Sequence, residues 1–124
     1  MFNSEFKNIS EIKITFPNEQ VCIYHLERIR WNKKVISPFD NSSKVYKCKA
    51  NKYRCKNTGK YFNVRTGTMF DNTKTSLQKW FIAIWIVTSF KPNINSIELS
   101  KYLGISQKSA WFMLTRIKKC YQPN

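Results

Sequence analysis

Ser96-Ile-Glu-Leu-Ser-Lys-Tyr-Leu-Gly-Ile-Ser-Gln-Lys-Ser-Ala-Trp-Phe-Met-Leu-Thr-Arg-Ile117 decides how this chain is read. Leu99 and Leu103 stand four apart, so they share the inner face of one helix. Gly104 then stops that helix, because a residue without Cβ adopts a left-handed conformation at no steric cost. Ile105 plugs the turn, and Ser106 is a good N-cap for a second helix. Ala110, Met113 or Leu114, and Ile117 follow at helical spacing on that helix's buried side, and Trp111 beside them is assigned to the core. The pattern predicts two helices, 95–103 and 106–121, around a glycine turn, which is a helix-turn-helix.

In that motif the N-terminal part of the second helix enters the major groove of duplex DNA. Ser106, Gln107 and Lys108 occupy that end, with Phe112 and Thr115 one and two turns on. Gln107 suits a bidentate pair with adenine, and Lys108 can donate to guanine. Ser106 and the free N–H groups of the first turn suit a phosphate. Phe112 is read equally well as a thymine-methyl contact or as a packing residue. Arg116, Lys118 and Lys119 are assigned to the phosphate backbone.

Composition agrees with a polyanionic partner. The 124 residues hold 22 Lys plus Arg against 7 Asp plus Glu, a net charge of +15. A charge of that size opposes compaction unless an anion answers it. With 42% hydrophobic and 15% aromatic residues, the chain has the composition of a folded domain and not of a basic tail. Between Lys33 and Arg65 ten residues are Lys or Arg, and Asp40 is the one acid.

The longest apolar run, Trp80 to Val87, is eight residues, far below the roughly 20 of a membrane span. The N-terminus has no signal-peptide pattern, and the four cysteines are too few for a disulfide scaffold. A cytoplasmic, nucleoid-associated protein with no membrane partner is expected.

Residues 1–15 form a lead-in segment without an assigned element. A helix is expected after Pro17, capped by Asn18, with Val21, Tyr24 or His25, and Ile29 as its stripe. His25 is taken as a packed histidine and not a base. From Lys33 the period becomes two, giving candidate strands 45–49, 52–56 and 61–64. In the middle one Tyr53 and Cys55 face inward, so Lys52, Arg54 and Lys56 line the outer face as a phosphate-contacting comb. Val35, Tyr46, Tyr53, Phe62 and Val64 are the expected hydrophobic face. Thr75-Ser-Leu-Gln78 reads as a capping box opening an apolar helix that ends before Lys91-Pro92. That helix is the first of a three-helix unit.

Phe16-Pro-Asn-Glu19, Leu26-Glu-Arg-Ile-Arg-Trp31, Tyr53-Arg-Cys55, Gly59-Lys-Tyr-Phe62, Thr66-Gly-Thr-Met-Phe70, Leu77-Gln-Lys-Trp80 and Ser109-Ala-Trp-Phe-Met113 occur in order. Together they resemble the N-terminal region of a bacterial insertion-sequence transposase of the zinc-ribbon type. The resemblance implies a ribbon holding zinc through paired knuckles, followed by a helix-turn-helix that recognises terminal inverted repeats. The matching knuckle positions here are Ser37-Pro-Phe-Asp40 and Cys55-Lys-Asn-Thr58, so only Cys55 of four ligands is retained and no zinc is expected.

The resemblance also implies a following RNase H-like catalytic domain, which is not expected in a chain ending at Asn124. The seven acids are scattered and no nucleophile–base arrangement is present, so the chain is not expected to be an enzyme. These readings give an α+β fold: an N-terminal helix, a small antiparallel zinc-ribbon-like sheet without its metal ligands, and a three-helix helix-turn-helix unit. The expected segments are 1–15, 16–70 and 71–124. The expected function is sequence-specific binding of double-stranded DNA, alone or as a homo-oligomer, as the recognition part of a truncated transposase. A stand-alone DNA-binding regulator is the alternative. A less favoured class is single-strand or RNA binding on a platform of Tyr46, Tyr53 and Tyr61. A third class is a protein-interaction module using the aromatic helix as a dimer surface, which exposed Trp80 and Trp85 would favour.

Overall fold

The computed structural model describes residues 1–2 and 5–121, and it is α+β. In chain order its elements are α1 (Ile9–Thr15), α2 (Glu19–Trp31), β1 (Val45–Lys47), β2 (Tyr53–Cys55), β3 (Tyr61–Phe62), α3 (Leu77–Trp85), α4 (Ser96–Leu103) and α5 (Gln107–Tyr121). A π-helical turn, Ile86–Phe90, extends α3. Two compact units divide the chain. One holds Met1 and Gln20–Thr73, the other Phe2–Glu19 and Lys74–Asn124. Positions 3–4 and 122–124, at the ends of the expected first and last segments, lie outside the described residues. No helix among the described residues is long and apolar enough to cross a membrane.

The first unit joins α2 to an antiparallel sheet of order β1-β2-β3. The strands are shorter than their alternating pattern, three, three and two residues, because turns take up the ends. Ala50 and Asn51 both adopt positive φ between β1 and β2, and Gly59 does so between β2 and β3. Tyr53 and Cys55 face inward as their spacing requires. The rings of Trp31, Tyr53 and Phe62 meet at 5.5 to 6.0 Å and form the core with Val64. Arg30 donates from Nη1 to the carbonyls of Val64 (3.0 Å) and Asn63 (3.3 Å), fastening the helix to the chain beyond β3.

Two sequence expectations are corrected in this unit. Tyr46 is exposed, because Val45 pairs with Cys55 and takes the inner side, leaving its neighbour to face out. On α2 the buried residues are Cys22, His25, Leu26 and Trp31, while Tyr24 and Ile29 are exposed. Tyr24 lies opposite Cys22. Ile29 is left open because the sheet meets the helix through Trp31, about half a turn further round. His25 is packed, its Nε2 3.1 Å from the Met1 carbonyl oxygen, and burial holds its pKa below the usual imidazole value.

The second unit is all-helical and centred on α3, which is buried at Leu77 and from Trp80 to Trp85 and contacts α1, α4 and α5. Ser76 caps α3 by accepting from the Lys79 N–H, so the cap is Ser76 and not the expected Thr75. Gln78 does not close a capping box, since its amide donates to the Phe16 carbonyl at 2.9 Å. Glu19 instead supplies a carboxylate to the Leu77 N–H at 2.8 Å, a negative charge where the helix dipole favours one.

The former lead-in segment contains α1, capped by Asn8, whose Oδ1 accepts from Glu11 N–H while Glu11 accepts from Lys7 N–H. Ile12 is fully buried, and Phe2, Phe6 and Phe16 gather on Phe81 and one another at 4.9 to 6.2 Å. Trp80 and Trp85 are buried, which removes the surface that a tryptophan-based protein contact would need.

Candidate nucleic-acid interface

Local chemistry sets the turn between α4 and α5. Asn95 caps α4 through the Glu98 N–H, and Gly104 ends it in the left-handed region at φ 65°, ψ 40°. Nothing lies within 4 Å of a Cβ placed at Gly104, so backbone conformation and not crowding makes glycine suitable there. Ser106 then caps α5 by accepting from the Ser109 N–H at 3.1 Å, and it donates to the Ser109 hydroxyl at 3.0 Å. Its hydroxyl is therefore committed to the cap, and the groups left open at this end are the first-turn N–H groups.

Ala110, Met113, Leu114 and Ile117 are the buried side of α5. Gln107, Lys108, Phe112, Thr115 and Lys119 are exposed, and Arg116 is half-buried. Lys108, Phe112, Thr115 and Lys119 recur at helical spacing, so they form one stripe opposite the core. Trp111 corrects its core assignment: it is 55% exposed and meets Phe112, 48% exposed, at 5.3 Å. Four residues already fill the inner arc of the helix, and Trp111 lies about 100° round from Ala110, outside that arc. The open face of α5 thus carries two adjacent aromatic rings between cations. The glutamine and lysine were legible from the motif, whereas the exposure of Trp111 was not.

The sheet carries the second group. Lys52, Arg54 and Lys56 are all exposed, on the side away from Tyr53 and Cys55. On the inner side of β1, a cavity of about 600 Å³ is lined by Lys33, Lys34, Lys44 and Lys47 together with Ser42 and Ser43. No acidic residue lines it, and sequence periodicity gave no sign of it. α5 and these cations belong to different compact units.

The knuckle positions form a cluster of a different kind. Ser37 is buried, and its Oγ accepts from the N–H groups of Phe39 (3.0 Å) and Asp40 (3.3 Å). Cys55 is also fully buried, and the Thr58 N–H is hydrogen-bonded to its sulfur. Both loops therefore aim backbone donors at the side chain of their first residue. Burial pushes the Cys55 thiol up, but hydrogen bonds from the hydroxyls of Ser37, Ser43 and Thr58 and from the Thr58 N–H outweigh it, bringing its pKa to about 6.

Zinc, which the resemblance implies, needs four ligands such as thiolates or imidazoles in a tetrahedron. Here one thiol is surrounded by hydroxyls, and the Asp40 carboxylate is engaged by Ser42 and Asn57. These residues do not fit a structural zinc. No group of three or more His, Cys, Asp or Glu placed to hold a metal occurs among the described residues.

No protein-family model matches the chain. No solved structure matches it either. Over 106 residues, 82% of its length, the chain is 28% identical to an uncharacterized protein in transposable element ISH50 of Halobacterium salinarum. It spans 35% of the length of that relative.

Proposed function

We propose that this chain binds double-stranded DNA in a sequence-specific manner, as the recognition part of a transposase-related protein, and that it carries out no strand chemistry itself. The observation that carries the reading is the pair α4 and α5 joined at Gly104, with Gln107 and Lys108 exposed at the start of the second helix. An exposed stripe of Lys108, Phe112, Thr115 and Lys119 continues along α5, the face such a helix presents to the major groove. The relative in a transposable element supports DNA as the partner. A stand-alone regulator uses the same face and differs in having its site at a promoter.

In this reading Gln107 and Lys108 contact base edges, while Arg116, Lys119 and the comb Lys52, Arg54 and Lys56 contact phosphates. Zinc takes no part, and the ribbon is held by its aromatic core and the hydrogen bonds around Cys55.

Two substitutions test the division of labour. Gln107→Ala is expected to change preference at one base position by about 1–3 kcal/mol. Arg54→Ala is expected to weaken all sequences alike and to flatten the dependence of log affinity on log salt by about one unit. Binding titrations against a panel of duplexes at several salt concentrations measure both. Identical behaviour of the two variants would contradict the assignment.

A further inference from the structure

The three strands set two exposed tyrosines, which duplex recognition leaves unused, beside the phosphate-contacting cations of β2. Tyr46 on β1 stands opposite Arg54 on β2, and Arg54 stands opposite Tyr61 on β3. One cation is thus flanked on both sides by tyrosines across the full width of the sheet. All three lie on the face away from the core. Tyr46 is 43% exposed and Tyr61 is 61% exposed, while the third tyrosine of the sheet, Tyr53, is buried with its hydroxyl on Glu27.

Neighbouring strands are about 4.8 Å apart, so the two rings sit on the order of 10 Å from each other. Each can take its own base. Lys52 and Lys56 lie two residues to either side of Arg54 on the same face. From Lys44 to Tyr61 the chain has seven Lys or Arg and no acid.

We infer that this face binds single-stranded DNA, with bases stacked on Tyr46 and Tyr61 and the backbone held by Arg54, Lys52 and Lys56. Aromatic rings set among cations are the composition of a stacking platform, which needs no particular base because every base has a π face. Duplex DNA keeps its bases stacked inside and offers such rings little, so the rings select unpaired strand while the cations serve the phosphates of either form. The inference rests on DNA being the partner of the chain but not on α5 reading its sequence.

The test uses the full chain and a fluorescent oligothymidylate of about twelve nucleotides, within the usual site size of such surfaces. Tyr46→Ala and Tyr61→Ala are each expected to weaken binding about tenfold or more, as loss of one stacked base does. Tyr46→Phe and Tyr61→Phe keep the ring, and they are expected to bind as the parent does. Binding of duplex by the alanine variants should be unchanged.

Alanine variants that hold the oligothymidylate as tightly as the parent would overturn the inference. So would a parent that does not bind it, or that prefers the matching oligouridylate tenfold, which would reassign the face to RNA. Loss of duplex selectivity with ring-dependent oligothymidylate binding intact would remove the reading of α5 and leave this one standing.

Discussion

A chain carrying Ser37→Cys, Asp40→Cys and Thr58→Cys together is expected to bind one zinc ion tightly, and the parent is expected to bind none. Two loops supply the frame for the metal. Ser37 accepts from the N–H groups two and three residues on, and Cys55 accepts from the N–H three residues on. These donors are aimed where they would stabilise thiolates, and the Ser37 and Thr58 hydroxyls already reach the Cys55 sulfur. Replacing three side chains leaves the backbone arrangement in place and supplies four thiolates.

Structural zinc in small peptides binds with apparent free energies of about 10–16 kcal/mol near neutral pH. With free zinc about 1,000 times above the dissociation constant, the fold gains about 4 kcal/mol. Cobalt(II) substitution reports the geometry, since a tetrahedral thiolate site absorbs strongly in the visible. Elemental analysis of the parent, purified without chelator, completes the comparison. Stoichiometric zinc in the parent, or no cobalt spectrum in a folded triple variant, would contradict this account of the cluster.

The second large effect is on stability. Trp80→Ala is expected to destabilise the helical unit by about 3–5 kcal/mol, the cost of emptying a fully buried tryptophan site. Trp80 has no exposed surface, and α3 contacts α1, α4 and α5, so no neighbouring loop can close the cavity. Against a total stability of about 5–15 kcal/mol, such a loss brings the domain close to unfolding. Urea denaturation followed by circular dichroism measures it. Trp111→Ala is the contrast: an exposed side chain on α5 should change stability by less than about 0.5 kcal/mol. Equal losses for the two would mean that the burial pattern of the helices is wrong.

Much of the helical unit was legible because its signals are local. Gly104 ends one helix and Ser106 begins the next, and both act through their own backbone or side chain. The alternation of Tyr53 and Cys55 fixed the faces of β2 in the same way. Helix α1 also had a local signal, the cap Asn8 with Glu11 three residues on and Ile12 then Phe16 behind it, but seven residues make a weak periodic pattern.

Other features depend on partners distant in sequence. Tyr46 faces out because of the register with Arg54, and register is set by pairing and not by β1 alone. Trp111 was misassigned because its neighbours in sequence are core residues, while a helix turns each successive residue through about 100°. The lysine-lined cavity joins the end of α2 to β1, a proximity that no spacing rule foretells. The hydroxyl cluster on Cys55 likewise appears only when both loops are folded.

The central claim, that α5 reads DNA sequence, is tested most directly by selection from a random duplex library near 0.15 M ionic strength, where non-specific binding is weak, with Kd about 10⁻⁴–10⁻⁶ M. The account predicts enrichment of a defined motif, with preference at one position lost in Gln107→Ala. Recovery of unenriched library, held only by salt-labile contacts, would contradict it.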